Sequence, residues 1–201
     1  MKRILVITSL WTAVIVASAL AQQEPAAKSP EAGAAAGDAT GSPQKTAPVS
    51  ATFLVTGLHC PPCTTTVETS LRRIRGVRAI SVDWNSKSAT VTYDEGTISA
   101  QKVAASIAAT PHMMGNTMRY GGWLALKVPG IDKPETAKKV KAALGSVKGV
   151  ANTAVYEKTE AVGVAFAPEG NLTMQELLTA LEKEGIPASS YARDTKKKAD
   201  R

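Results

Sequence analysis

Phe53-Leu54-Val55-Thr56-Gly57-Leu58-His59-Cys60-Pro61-Pro62-Cys63 carries an extended apolar run into a glycine turn and then into both cysteines of the chain. Two residues separate the thiols, and an amphipathic helical pattern follows. A strand, a tight loop bearing two thiols and a helix form a compact soft-metal or redox site. Everything around this segment bears on which of the two it is.

Upstream, Ala51, Phe53 and Val55 alternate with Thr52, Leu54 and Thr56, which predicts a strand. Downstream, Val67, Leu71 and Ile74 recur at helical spacing, and Gly76 ends the helix. Ile80, Val82 and Trp84 alternate, as do Ala89, Val91 and Tyr93. The turn Asn85-Ser86-Lys87-Ser88 joins them as a hairpin. Ser99 caps a second helix carrying Val103 and Ile107, which stops before Pro111. A short strand over 117–120 is expected to close the unit. The order is βαββαβ.

That order repeats at a shift of 73 positions. Gly57, Leu58 and Pro61 fall on Gly130, Ile131 and Pro134. Val67, Leu71, Gly76 and Val77 fall on Val140, Leu144, Gly149 and Val150. After a one-residue insertion, Ser99, Val103 and Ile107 meet Thr173, Leu177 and Leu181, and Thr173 with Glu176 makes a capping box. The expected fold class is α+β, two βαββαβ units in tandem. Each unit is expected to have its own small core, with Gly121-Gly122 as a flexible joint. Cys60 aligns with Lys133 and Cys63 with Thr136, so the second copy keeps the scaffold and lacks the thiols.

The flanks read differently. Lys2 and Arg3 precede an apolar stretch from Ile4 to Val16, and Ala19-Leu20-Ala21 gives a small-residue cleavage pattern. Residues 1–21 are expected to be a cleaved signal peptide, because the run is short for a membrane span. Residues 22–49, rich in alanine and proline, are expected to be a disordered linker. A domain over 50–120, a degenerate copy over 121–192 and a basic tail over 193–201 complete the division. Loss of the leader lowers the formal charge of +7 by two. Arg72, Arg73, Arg75 and Arg78 cluster, but no aromatic residues interleave with them, so no nucleic-acid partner is expected. No Ser/His/Asp set, carboxylate pair or phosphate loop points to hydrolysis or group transfer, and no enzyme activity is expected.

The motif Gly57-Leu58-His59-Cys60-Pro61-Pro62-Cys63, at a strand-to-helix junction within βαββαβ, resembles the heavy-metal-associated domain family with its Gly-Met-x-Cys-x-x-Cys loop. That family includes copper chaperones, modules of metal-transporting ATPases and periplasmic mercury-binding proteins. The resemblance implies a ferredoxin-like fold and makes Cys60 and Cys63 metal ligands. Leu58 stands where the family has a buried Met. Pro61 and Pro62 filling both intervening positions is a departure.

Soft thiolates select Cu(I) and Hg(II), and also take Zn(II), which normally wants four ligands. A helix N-terminus favours the thiolate over the thiol. Proline after Cys60 and after Pro61 disfavours helical geometry at both, so the helix is expected to start near Pro62. Topology brings Pro111-His112-Met113-Met114-Gly115 to the same end as the thiols, making His112, Met113 and Met114 candidate accessory ligands or a shield. The competing reading packs the methionines on the helix end. His59 is a further accessory candidate and is expected to face solvent.

The expected function is an exported protein, periplasmic or extracellular, that binds a soft metal ion through its dithiolate and carries or sequesters it. Its expected partners are the metal ion and a metal transporter or another metal-binding protein, with no stable membrane insertion after signal cleavage. The alternative is a thiol–disulfide oxidoreductase using the same Cys pair.

Overall fold

The computed structural model describes residues 47–192. The expected signal peptide, almost all of the expected linker, and the tail lie outside the described residues. The chain enters at β1 (Val49–Thr56) and continues through α1 (Pro62–Arg72), β2 (Val77–Asp83), β3 (Ser88–Tyr93) and α2 (Ala100–Ala109). There follow β4 (Gly121–Lys127), α3 (Pro134–Gly145), β5 (Val150–Tyr156), β6 (Ala161–Phe166), α4 (Met174–Lys183) and the two-residue β7 (Ser189–Ser190). The succession strand, helix, hairpin, helix thus occurs twice, within an α+β fold of one antiparallel sheet and four helices.

Local chemistry sets the helix starts. Ser99 caps α2 by accepting from the Lys102 N–H at 3.2 Å. Thr173 and Glu176 form the expected capping box of α4. α1 and α3 have no side-chain cap, and each begins on a proline, whose missing N–H leaves one orphan donor fewer. The hairpin turn lies one residue earlier than expected, so Trp84 sits in the turn and Ser88 opens β3.

The sheet runs β2-β3-β1-β4-β6-β5, with β7 also paired to β4. The closing strand expected over 117–120 is absent, and those residues belong to the loop between α2 and β4. β4 takes its place. Its first residues pair with β1, Phe53 opposite Leu124, while its other side pairs with β6, Leu124 opposite Val164. One strand therefore serves as the last strand of the first half and the first strand of the second. Sharing it removes two exposed strand edges, which would otherwise offer unpaired backbone groups.

Two expectations fall with that strand. Gly121 and Gly122 are not a hinge but part of β4, where Gly122 lets the backbone of Ala104 approach to 3.0 Å of where a Cβ would stand. Nor are there two separate small cores. Phe53, Leu124 and Val164 lie on one face by register, and they join the buried positions of all four helices in a single cluster.

Polar contacts tie the halves as well. The fully buried Gln101 side chain donates to the carbonyls of Ala167 and Glu169, both at 2.8 Å, and accepts from the Leu172 N–H at 2.9 Å. Glu95 accepts from the Met174 N–H at the start of α4 and from the Tyr93 hydroxyl. Burial, with Glu95 beside it, pushes the Tyr93 phenol far above its ordinary value, so it stays a hydrogen-bond donor.

Candidate metal centre

β1 ends at Thr56, and the chain reverses at Gly57 with φ +85. Only glycine fits there: a Cβ would lie 2.6 Å from the Arg119 carbonyl oxygen. Leu58 is buried, as a packing residue in that place should be, and His59 is exposed. Cys60 follows, half-buried against the core, and Cys63 is fully buried one residue into α1.

The two cysteines are joined as a disulfide, with Cα atoms 5.5 Å apart. The Cys63 N–H donates to the Cys60 carbonyl and the Thr64 N–H to the Pro61 carbonyl, both at 3.1 Å. The Thr64 hydroxyl adds a 2.7 Å bond to the same Pro61 carbonyl. These bonds overturn one local expectation. Pro61, though followed by proline, is helical at φ −54 and ψ −42. The turn and the bridge outweigh the steric preference for an extended residue before proline. Cys60 therefore lies just before α1, and Cys63 lies in its first turn.

Two side chains from elsewhere lock this loop. Lys87, in the β2–β3 turn, holds φ +51 and donates from its ammonium to the Leu58 carbonyl at 2.8 Å. The same ammonium lies 3.8 Å from the centre of the Trp84 ring, a cation–π contact. Lys87 was not singled out from the sequence. The 73-residue shift places it on Glu160, the other non-glycine residue with positive φ among the described residues, but that φ is a fact of the structure, and a Lys aligned with a Glu carries no signal in the sequence.

The second lock is His112, which is buried. Its Nδ1 accepts from the Met114 N–H at 3.1 Å, so Nε2 carries the proton and donates to the Gly57 carbonyl at 2.9 Å. Both ring nitrogens are thus engaged, and in this arrangement the ring offers no lone pair to a metal. The ring lies 4.5 Å from that of Tyr120 and 5.8 Å from that of His59. The Tyr120 hydroxyl is buried, and burial raises its pKa, an effect that the neighbouring Met113 backbone partly offsets. Topology had placed 111–115 beside the thiol loop, and the His112–Gly57 bond bears that out. Met113 and Met114 are 57% and 61% exposed.

The second half repeats this construction without sulfur. Gly130 reverses the chain at φ +74, Ile131 is buried, and Lys133 and Thr136 stand in the cysteine positions. Glu160 accepts from the Gly130 N–H at 3.1 Å and pairs with Lys127 at 2.9 Å. The Lys127 ammonium, and then the Gly130 N–H, hold the Glu160 carboxyl below its ordinary value. Among the described residues no group of three or more His, Cys, Asp or Glu side chains could hold a metal. Two thiols at a helix start suit an ion content with two sulfur ligands, once the bridge is reduced.

The family model described as Heavy-metal-associated domain matches residues 52–112. Copper-transporting ATPase 2 of Mus musculus is 23% identical over 156 residues, covering 67% of this chain. This chain spans only 11% of that relative's length. Among solved structures, the water-soluble region of the P-type ATPase CopA from Bacillus subtilis is 21% identical and aligns with 71% of this chain and 91% of its own, at a TM-score of 0.35. Oxidized MerP from Ralstonia metallidurans CH34 is 26% identical and aligns with 39% of this chain and 97% of its own, at a TM-score of 0.34. By the family match and the cysteine loop together, residues 52–112 are a heavy-metal-associated domain.

Proposed function

We propose that this chain is an exported carrier or scavenger of a soft metal ion, Cu(I) or Hg(II), held between Cys60 and Cys63 in their reduced form. The observation that carries the reading is the placing of both thiols at the start of α1, Cys60 two residues before it and Cys63 in its first turn, inside the matched family region. Their positions let two sulfurs take one ion in near-linear coordination, and Zn(II) would need ligands from elsewhere. Export rests on the leader pattern of residues 1–21 and puts the protein in the periplasm or outside the cell. The metal would pass by ligand exchange to a transporter or another metal-binding protein. The half over 121–192, which has no cysteine, would serve as scaffold and docking surface.

In that role His112 acts as a strut for the thiol loop. Met113 and Met114, exposed beside it, are free to shield or join the bound ion. Titration of the reduced chain with Cu(I) should give one tight site, abolished in Cys60→Ser/Cys63→Ser. A tight site that survives the double substitution would overturn the assignment, and two tight sites in the reduced chain would overturn the claim that the second half binds no metal. The disulfide keeps a second reading open, thiol–disulfide exchange. Turnover in an insulin-reduction assay would favour it, and a carrier should show almost none.

A further inference from the structure

The sheet ends on two edge strands, β2 in the first half and β5 in the second. Their pairing is the same at a shift of 73, down to a register slip after Val77 in one and after Val150 in the other. An edge strand leaves the backbone N–H and C=O of alternate residues unpaired, a template for another chain unless something guards it.

β2 is guarded. The Val82 N–H donates to the Glu68 carboxylate at 2.9 Å, so Val82 turns its backbone groups out of the ladder. The strand also carries Arg78 and Asp83. In β5 the guard is missing. Val155 stands at the place of Val82, and Lys141 at the place of Glu68, each helix residue following a fully buried valine, Val140 or Val67. A lysine ammonium donates and cannot accept, so it leaves the Val155 N–H uncapped. The Thr153 N–H faces the same way and meets the side-chain oxygen of its own neighbour, Asn152, at 2.8 Å. The strand Val150-Ala151-Asn152-Thr153-Ala154-Val155-Tyr156 has no charged residue and no proline to discourage pairing.

The charge beside this edge has one dominant sign. α3 carries Lys138, Lys139 and Lys141 against a single acidic residue, Glu135. Lys141 is exposed and has no ion-pair partner among the described residues. Strand residues paired opposite one another share a face. A strand added to β5 would therefore turn alternate side chains toward α3 and the others toward the helix-free face, where Tyr156 is exposed beside Gly163.

We propose that β5 is a docking edge for an extended acidic segment of a partner protein, which pairs its backbone with Thr153 and Val155 and sets carboxylates against Lys141. A carboxylate from that partner takes the place that Glu68 fills in the first half. A second copy of this chain fits less well, because two-fold pairing along β5 would bring the α3 lysines of both copies to one seam. The inference rests on the docking role proposed for residues 121–192 and gives it a surface and a partner chemistry. It does not depend on metal binding.

The test uses the full-length oxidised chain, a short end-capped peptide of alternating Glu and Val, and a matched peptide of alternating Lys and Val. The Glu peptide should shift the amide resonances of residues 150–156 and slow hydrogen exchange at Thr153 and Val155, leaving β2 unmoved. Lys141→Glu, which rebuilds the guard on an exposed helix position, should weaken binding about tenfold, as loss of a close charge pair does, while Lys141→Arg retains it. No shift at 150–156, equal binding of the Lys peptide, or binding indifferent to Lys141→Glu overturns the proposal. So does protection of Thr153 and Val155 that rises with protein concentration in the absence of peptide, which would assign the edge to a second copy. The metal reading fails on a different result: reduced wild-type chain binding Cu(I) no more tightly than Cys60→Ser/Cys63→Ser.

Discussion

Lys87 and Glu160 occupy the same place in the two halves of the sheet, at φ +51 and +47, and each reaches the loop that follows the first strand of its half. Lys87 grips the Leu58 carbonyl, and Glu160 grips the Gly130 N–H. The two halves thus hold equivalent loops by opposite charges. In the first half the clamp is a cation, next to thiols that act as anions when they bind metal. In the second it is a carboxylate neutralised by Lys127, beside a loop without thiols. Lys87→Met should leave the fold intact and weaken Cu(I) binding by the reduced chain about tenfold, as loss of an outer-shell contact does. Competition with a chromogenic Cu(I) chelator measures it, and an unchanged affinity would reduce Lys87 to a packing residue.

Gly57 and Gly130 separate two kinds of glycine requirement. Both have positive φ, but only at Gly57 would a Cβ meet backbone, the Arg119 carbonyl. Gly130→Ala should cost about 1 kcal/mol, the price of the left-handed conformation alone. Gly57→Ala should cost at least about 2 kcal/mol more, because the α2–β4 loop must also move. Urea denaturation of the two variants, side by side, tests the difference.

Gln101 reports on whether the halves fold together. Its three hydrogen bonds cross from α2 to the 167–172 loop, and truncation would strand their backbone partners. Gln101→Ala should cost about 3 kcal/mol and lower the urea midpoint. The wild-type chain should show one transition by both fluorescence and circular dichroism, since both halves share β4 and one buried cluster. Two well-separated transitions in the wild type would contradict the shared core.

Acid should loosen the second half through two carboxylates. The Thr173 N–H, then its hydroxyl, lower the Glu176 pKa from 4.5, and Lys127 does the same for Glu160. A folded-state pKa below the unfolded one adds stability that is present above the unfolded value and is lost as pH falls through the folded value. Stability should therefore decline as pH drops below about 4.5. Glu176→Gln and Glu160→Gln should each flatten that decline when midpoints are compared between pH 7 and 3. A steeper decline would reverse the sign.

Much of this was legible in the chain because it rests on local chemistry. The strand of Ala51, Phe53 and Val55, the Ser99 cap and the Thr173–Glu176 box depend on residues within a few positions of one another, and all stand as read. The repeat placed Lys133 and Thr136 on the cysteine positions. Topology alone placed His112 near the thiols. Its engagement through both nitrogens was not legible, since a hydrogen bond to Gly57 spans 55 positions and depends on rotamer and tautomer. Pro61 misled because the local steric preference competes with a cross-link and two hydrogen bonds.

By itself the sequence determined the two rounds of strand, helix and hairpin, the pair of thiols at a helix start, and the absence of thiols from the second round. Those are matters of residue type and spacing, which act at short range. Only the tertiary structure decided that the two rounds are one body. Hydrophobic alternation says which face of a strand is buried but not which strands lie on its two edges. β4 pairs with β1 on one edge and β6 on the other, and that choice merged two expected cores and turned an expected hinge into the middle of a sheet.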